Sequence, residues 1–183
     1  GHVCEKLLTI SPDKCQRLLD LGCGSGALLD RLSESGYQDL HGVDISPPES
    51  TKTIRYYQAD LDYFNLSVSD GYFDTAIAVE VVEHIENPGL LLKELSRILR
   101  PGGLFLLTTP HLHSAQSKLL FSLTDRLKQF DRKGDPTHIS PIFLFPFTRL
   151  LRRHGFEVVE KWGFPLDNSS PTSRRLMRFA AMV

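Results

Sequence analysis

Apolar and polar positions alternate between two periods along this chain. Short stretches at 18–21, 40–45, 54–58, 75–79 and 104–108 predict strands, the last two nearly unbroken apolar runs that suit burial. Three-to-four spacing predicts helices between them: one over 27–32, a second begun by Asn87-Pro88 and carried by Leu90, Leu91, Leu92, Leu95, Ile98 and Leu99, and a third around 147–154. Further strands are predicted at 156–161 and near 177–182. The opening apolar stretch at 4–10 runs into Ser11-Pro12-Asp13, which reads as a helix start. Pro101-Gly102-Gly103 closes the second helix, and Ser69-Asp70-Gly71 forms a turn. Strands alternating with helices imply right-handed crossovers, hence a doubly wound, mostly parallel α/β sheet with both faces covered.

The rhythm breaks at about 111–146. A helix-like stretch over 114–130 puts Leu119, Leu120, Leu123, Leu127 and Phe130 on one side, with Lys118, Arg126 and Lys128 toward the other. A loop through Lys133-Gly134-Asp135-Pro136 follows. This segment reads as a lid and substrate insertion over one edge of the sheet. Its helix either packs as a lid or lies on a membrane surface and draws in a lipid-like molecule.

Composition narrows the setting. The 183 residues, 41% apolar and 23% charged, suit one domain over 1–183. No apolar run is long enough to span a bilayer, and the opening residues lack the basic-then-apolar order of a signal peptide. Cysteines at 4, 15 and 23 form no Cys-x-x-Cys pair, which argues against a disulfide framework or a zinc cage and for a cytoplasmic home. Net charge is −1, but residues 1–92 hold 6 Lys and Arg against 15 Asp and Glu, while 93–183 hold 15 against 7. The acidic part suits a cationic cofactor and the basic part an anionic partner, unless both are simply solvated faces.

The chemistry centres on Leu18-Leu19-Asp20-Leu21-Gly22-Cys23-Gly24-Ser25-Gly26-Ala27, a strand, glycine turn and helix start. Gly22-x-Gly24-x-x-Ala27 followed by Asp44 satisfies the dinucleotide fingerprint, which leaves an NAD-dependent dehydrogenase open. Asp20 points elsewhere: a carboxylate two residues before the first glycine repels a pyrophosphate and attracts an ammonium or sulfonium. S-adenosylmethionine (SAM) carries both cations, and its ribose diol suits Asp44. The simpler alternatives are that Asp44 and Asp60 are turn-capping aspartates, that Asp74 is a turn residue before the fourth strand, and that Cys23 fills space.

At this point the chain resembles the class I SAM-dependent methyltransferases, in particular the group that includes the ubiquinone-biosynthesis O-methyltransferases. The resemblance covers roughly residues 15–161. Its carriers beyond the glycine loop are Gly42-Val43-Asp44-Ile45-Ser46, Gln58-Ala59-Asp60-Leu61, Tyr72-Phe73-Asp74, Glu80-Val81-Val82-Glu83-His84-Ile85, Leu99-Arg100-Pro101-Gly102-Gly103 and His154-Gly155-Phe156-Glu157-Val158. It implies a Rossmann-like fold and turnover of SAM to S-adenosylhomocysteine. It also implies roles: Asp20 and the Gly22, Gly24, Gly26 loop for the methionine end, Asp44 for the ribose, and Asp60 with Leu61 for the adenine. Ile45 would pack on the adenine face, and Val79 with Glu80 would border the reacting methyl. The spacing from Asp44 to Asp60 is short for the usual helix, so 46–53 is expected to be a loop.

Methyl transfer needs an acceptor in line and water excluded; for a hydroxyl acceptor a histidine is the usual base. His84, His111, His113 and His138 fall at strand ends or in the insertion, and His138 is the preferred catalytic candidate, the alternative being a histidine that anchors a loop. Glu80, Glu83, His84 and a later histidine also resemble the divalent-ion set of small-RNA 3′-end 2′-O-methyltransferases. The residues after His138, Ile-Ser-Pro-Ile-Phe, depart from that family, so no metal is assigned. The expected activity is methyl transfer to oxygen, nitrogen or carbon of a small molecule, anionic or lipid-like, with peripheral membrane contact an open option. Near-zero net charge argues against the RNA alternative. A SAM-binding partner subunit without turnover is the alternative of a different class.

Overall fold

The computed structural model describes residues 2–46, 48, 54–112, 114–127, 129–131, 134–164 and 176–182. Helix α1 (His2–Ile10) precedes β1 (Arg17–Leu21), α2 (Ala27–Glu34), β2 (Asp39–Asp44) and β3 (Arg55–Gln58). Then come β4 (Phe73–Val79), α3 (Pro88–Ile98), β5 (Leu99–Pro110), α4 (Ala115–Thr124), α5 (Leu144–Arg153), β6 (Glu157–Phe164) and β7 (Leu176–Met182). Short 3₁₀ turns occupy Leu61–Tyr63 and Val82–His84.

All seven strands join one sheet in the order β3-β2-β1-β4-β5-β7-β6. The first five pair in parallel, and β7 enters antiparallel between β5 and β6. Strand order reverses between β1 and β4, so the crevice for a ligand opens beyond their carboxyl ends. Both faces are covered. On one, Leu91, Leu92, Leu95 and Ile98 of α3 and Phe147 and Leu151 of α5 meet Leu19, Leu21, Val43 and Phe105. On the other, Cys4 and Leu7 of α1 and Leu29 and Leu32 of α2 meet Leu18, Ile77 and Leu106.

Several elements differ from expectation. Ser11-Pro12 follows α1 instead of starting a helix: the Ser11 N–H donates to the Leu7 carbonyl at 2.8 Å, and Pro12 has no N–H to continue the ladder. The strand expected at 104–108 begins at Leu99, because Leu99 pairs with Phe73 before the register shifts. Asp74 is not a turn residue; within β4 it accepts the Arg17 N–H at 2.7 Å and the Arg100 Nε–H at 2.6 Å. The helix expected over 114–130 is only Ala115–Thr124, since Asp125 turns left-handed at φ 56° and donates its N–H to the Phe121 carbonyl. Nor is its apolar side packed: Leu119 is 61% and Leu123 74% exposed, while Ser117 is buried. Part of the expected 46–53 loop, and Lys128 of the basic side, lie outside the described residues.

Candidate functional site

The chain leaves β1 through Gly22, Gly24 and Gly26 at φ 61°, 51° and 78°. That left-handed region costs a residue bearing a Cβ about 1–2 kcal/mol. Space divides the glycines further. A Cβ at Gly22 would lie 2.8 Å from Val81 Cγ2, whereas one at Gly24 would meet nothing within 4 Å, so the loop is open to a ligand there. The loop is tied to β2: the Cys23 N–H donates to the Val43 carbonyl at 3.1 Å and the Gly24 N–H to Asp44 Oδ2 at 2.9 Å. The other Asp44 oxygen accepts the Ser46 N–H at 3.1 Å.

Asp20 is 3% exposed, between Gly42 of β2 and Ile77 of β4. Burial, and then the Asp44 carboxylate, raise its pKa from 3.8 to about 8. Burial and the same two carboxylates push the Cys23 thiol up to about 12, which makes it inert as a nucleophile. A second anion would be repelled from this spot, and a cation would relieve it.

Beyond β4, Val79 leads to Glu80, whose φ of 55° is left-handed for a residue with a side chain. Three bonds hold it to Thr108 of β5, one of them from its N–H to the Thr108 hydroxyl oxygen at 3.1 Å. Its N–H donates to the Thr108 carbonyl at 3.2 Å, and the Thr108 hydroxyl donates to Glu80 Oε1 at 3.0 Å. This bend delivers the Val82–His84 turn, in which Glu83 is wholly buried. Burial, then the Glu80 charge, raises the Glu83 pKa to about 8.

The insertion returns to this turn. The Glu83 carbonyl accepts the N–H of Ile139 at 3.0 Å and of Ser140 at 2.9 Å, and the Ser140 hydroxyl donates to the Ile85 carbonyl. His138 is thereby set against His84, with ring centroids 4.7 Å apart. One donor atom from each of Glu83, His84 and His138 lies within 4.8 Å of the other two. His84 Nδ1 is 3.1 Å from the Thr137 carbonyl and 2.9 Å from its hydroxyl, which itself donates to Asp135 at 2.6 Å. His138 Nδ1 is 3.1 Å from the Gln129 carbonyl. A carbonyl only accepts, so both rings carry a proton on Nδ1, and in the neutral form Nε2 keeps its lone pair.

The structure thus brings Asp20, Gly22, Gly24, Gly26, Asp44, Val79 and Glu80 to the carboxyl ends of β1, β2 and β4. Ile45 stands beside them, 62% exposed. Asp60 is exposed and caps the Leu61–Tyr63 turn by accepting the Asp62 N–H at 3.0 Å, while Leu61 is buried in the core. His111 follows β5 and is not part of the group that Glu83, His84 and His138 form, and His113 lies outside the described residues. Thr137 and Asp135 were not among the predicted site residues, because their partner His84 is 53 residues away from Thr137 and no local pattern joins them.

A family model for a methyltransferase domain matches residues 1–161. The chain is 33% identical over 174 residues to a ubiquinone biosynthesis O-methyltransferase of Xanthomonas euvesicatoria, covering 87% of this chain and 71% of that protein. It is 27% identical over 174 residues to the protein of that name from Neisseria meningitidis, covering 87% of this chain and 72% of the relative. The crystal structure of a SAM-dependent methyltransferase from Mesorhizobium loti superposes with a TM-score of 0.68 at 19% identity, over 98% of this chain and 96% of that one.

Proposed function

The chain belongs to the methyltransferase domain family, as a class I SAM-dependent methyltransferase, and we propose that it methylates a hydroxyl oxygen of a small, lipid-like or anionic acceptor. The observation that carries this reading is the pairing of Asp20 and Asp44 around the glycine loop, a site short of positive charge. In this reading Asp20 and the loop N–H groups hold the methionine end, where a pyrophosphate would be repelled. Asp44 holds the ribose diol, Ile45 covers the adenine, Asp60 and Leu61 edge its pocket, and Val79 and Glu80 border the methyl.

SAM supplies a methyl on a sulfonium: as the acceptor oxygen bonds to the methyl carbon, the C–S electron pair returns to sulfur. The chain's contribution is alignment and the handling of one proton. The hydroxyl faces His84 and His138, whose Nε2 lone pairs favour loss of its proton. The exposed apolar side chains of α4, Leu119 and Leu123 on one face and Phe121 on another, support entry of a lipid-like acceptor from a membrane surface. Oxygen is chosen over nitrogen and carbon because both curated relatives named above are O-methyltransferases.

Methyl-labelled SAM, incubated with the protein and a panel of phenols, catechols and lipid-tailed analogues, should leave label on oxygen. SAM binding with no transfer to any acceptor would favour a non-catalytic SAM-binding subunit. Absence of SAM binding would refute the cofactor assignment.

A further inference from the structure

We propose that Thr108, which pairs with Val79 in the ladder between β4 and β5, is a positioning residue: its hydroxyl locks the bend at Glu80 and so sets the wall that the methyl acceptor meets. The first observation is the bend itself. Glu80 is left-handed at φ 55°, a conformation that a residue with a side chain keeps only where its surroundings fix it. Thr108 is wholly buried, and a buried hydroxyl needs partners. Glu80 supplies them. Its N–H donates to the Thr108 hydroxyl oxygen at 3.1 Å, which directs the hydroxyl proton to Glu80 Oε1 at 3.0 Å. One side chain therefore fixes both the main chain and the carboxylate of the residue that, in the reading above, borders the methyl. The Thr108 carbonyl, which also accepts the Glu80 N–H at 3.2 Å, holds the main chain alone.

The second observation is what hangs from the bend. Glu80 leads into the Val82–His84 turn, where the Glu83 carbonyl receives the Ile139 and Ser140 N–H groups at 3.0 and 2.9 Å. His84 and His138, which face the acceptor hydroxyl in the proposed reaction, both take their places through this turn. The far end of the segment has its own anchor: Asp62 Oδ1 accepts the Glu86 N–H at 2.7 Å and the Asn87 N–H at 3.3 Å. Removing the Thr108 hydroxyl thus frees the bend without releasing the segment. The cofactor side is built differently. Asp20 lies in β1, and Asp44 ties the glycine loop to β2 through the Gly24 N–H at 2.9 Å, bonds in which Thr108 has no part. Val81 packs against Gly22 between the two sides, so a shifted bend should touch cofactor affinity slightly and acceptor alignment strongly. In-line transfer is sensitive to a misplacement of about 1 Å, worth up to about 100-fold in rate.

The kinetic consequence rests on the methyltransferase reading; the lock does not. Hydrogen–deuterium exchange, SAM calorimetry and transfer of label from SAM to the best acceptor of the panel are compared in the unaltered full chain, Thr108→Val and Thr108→Ser. In Thr108→Val the amides of 80–85 and 138–140 should exchange at least about 10-fold faster, two bonds having been lost, while those of 18–27 keep their rates. Its kcat should fall about 10–100-fold, with the acceptor KM and the SAM Kd within about threefold of the unaltered chain. Thr108→Ser keeps the hydroxyl and should restore both exchange and kcat. Thr108→Cys, of similar size but with a weakly bonding thiol, should lie between them, and it takes the place of the valine variant if that one does not fold. Thr148→Val removes a buried hydroxyl that has no partner among the described residues and should match the unaltered chain. Equal exchange at 80–85 with and without the hydroxyl, or a loss of SAM affinity as large as the loss of kcat, would overturn the proposal. If the unaltered chain binds no SAM or labels no acceptor, the methyltransferase reading fails, and the exchange pattern still decides the lock.

Discussion

Asp20→Asn tests the electrostatic argument most directly. Folding raises the Asp20 pKa from 3.8 to about 8, chiefly through burial and then through Asp44. A group raised in this way contributes stability below its unfolded pKa and loses it as pH climbs through the folded one. Between about pH 4 and pH 8 the ligand-free protein should therefore lose stability, by about 4 kcal/mol at neutral pH and about 6 kcal/mol once the group is ionised, as an upper range. At about 2–4 °C per kcal/mol for a chain of this size, the neutral-pH loss amounts to a depression of Tm of about 8–16 °C. Asn has no proton to lose, so the variant should melt above the parent at neutral pH, and the gap should close toward pH 4. Glu83 is raised to a similar value and keeps part of the slope in both chains, so the difference between them isolates Asp20.

Cofactor binding should reverse the ranking. A cation beside Asp20 favours its ionised form, so the parent should release up to one proton on binding SAM at neutral pH, read as a dependence of the calorimetric enthalpy on buffer ionisation. The variant should release fewer and bind more weakly. Equal melting curves across this pH range, or equal SAM affinity, would show that Asp20 neither bears the strain nor meets the cation.

Other consequences are open to measurement. Gly24→Ala places its Cβ in open space, so urea unfolding should register only the left-handed backbone cost of about 1–2 kcal/mol, while SAM affinity should fall further than that. Arg97 ties Glu94 and Asp70 to the carbonyls of Leu66 and Val68; Arg97→Gln leaves the mostly buried Glu94 without its cation, holding only the Leu66 N–H, and should cost about 2–4 kcal/mol in the same assay. Leu123→Asp should reduce sedimentation with anionic liposomes without altering SAM binding, because Leu123 is 74% exposed; no sedimentation by the unaltered chain would remove the membrane route.

The central strands of this fold are legible in its sequence: β1 and β4 are short, mostly apolar runs, and β1 is closed at once by Gly22. Asn87-Pro88 also reads correctly: the Asn87 side chain accepts the Leu90 N–H and Pro88 opens α3. Where reading failed, the deciding contact was long-range. Leu99 joins β5 through Phe73, and nothing near Arg100-Pro101 announces that pairing. The stripe from Leu119 to Phe130 has helical spacing but is cut by the left-handed Asp125, and no buried face awaits its exposed leucines. At the site, the glycine loop, Asp20 and Asp44 are adjacent in pattern and so are visible in one dimension. Glu83, His84 and a later histidine are legible only through a family resemblance; what brings His138 to them is main-chain bonding from Ile139 and Ser140 to Glu83, which no spacing rule contains.

The place of β7 in the sheet bears on how the molecule is made. During synthesis β6 leaves the ribosome before β7, yet among the described residues it borders no other strand, so it waits unpaired until residues 176–182 arrive. β5 waits beside it with one edge bare. The parallel strands β1 to β5 can assemble as the chain emerges, but the last third of the sheet closes only in a late step, and that interval is when a nascent chain is most exposed to edge-to-edge association.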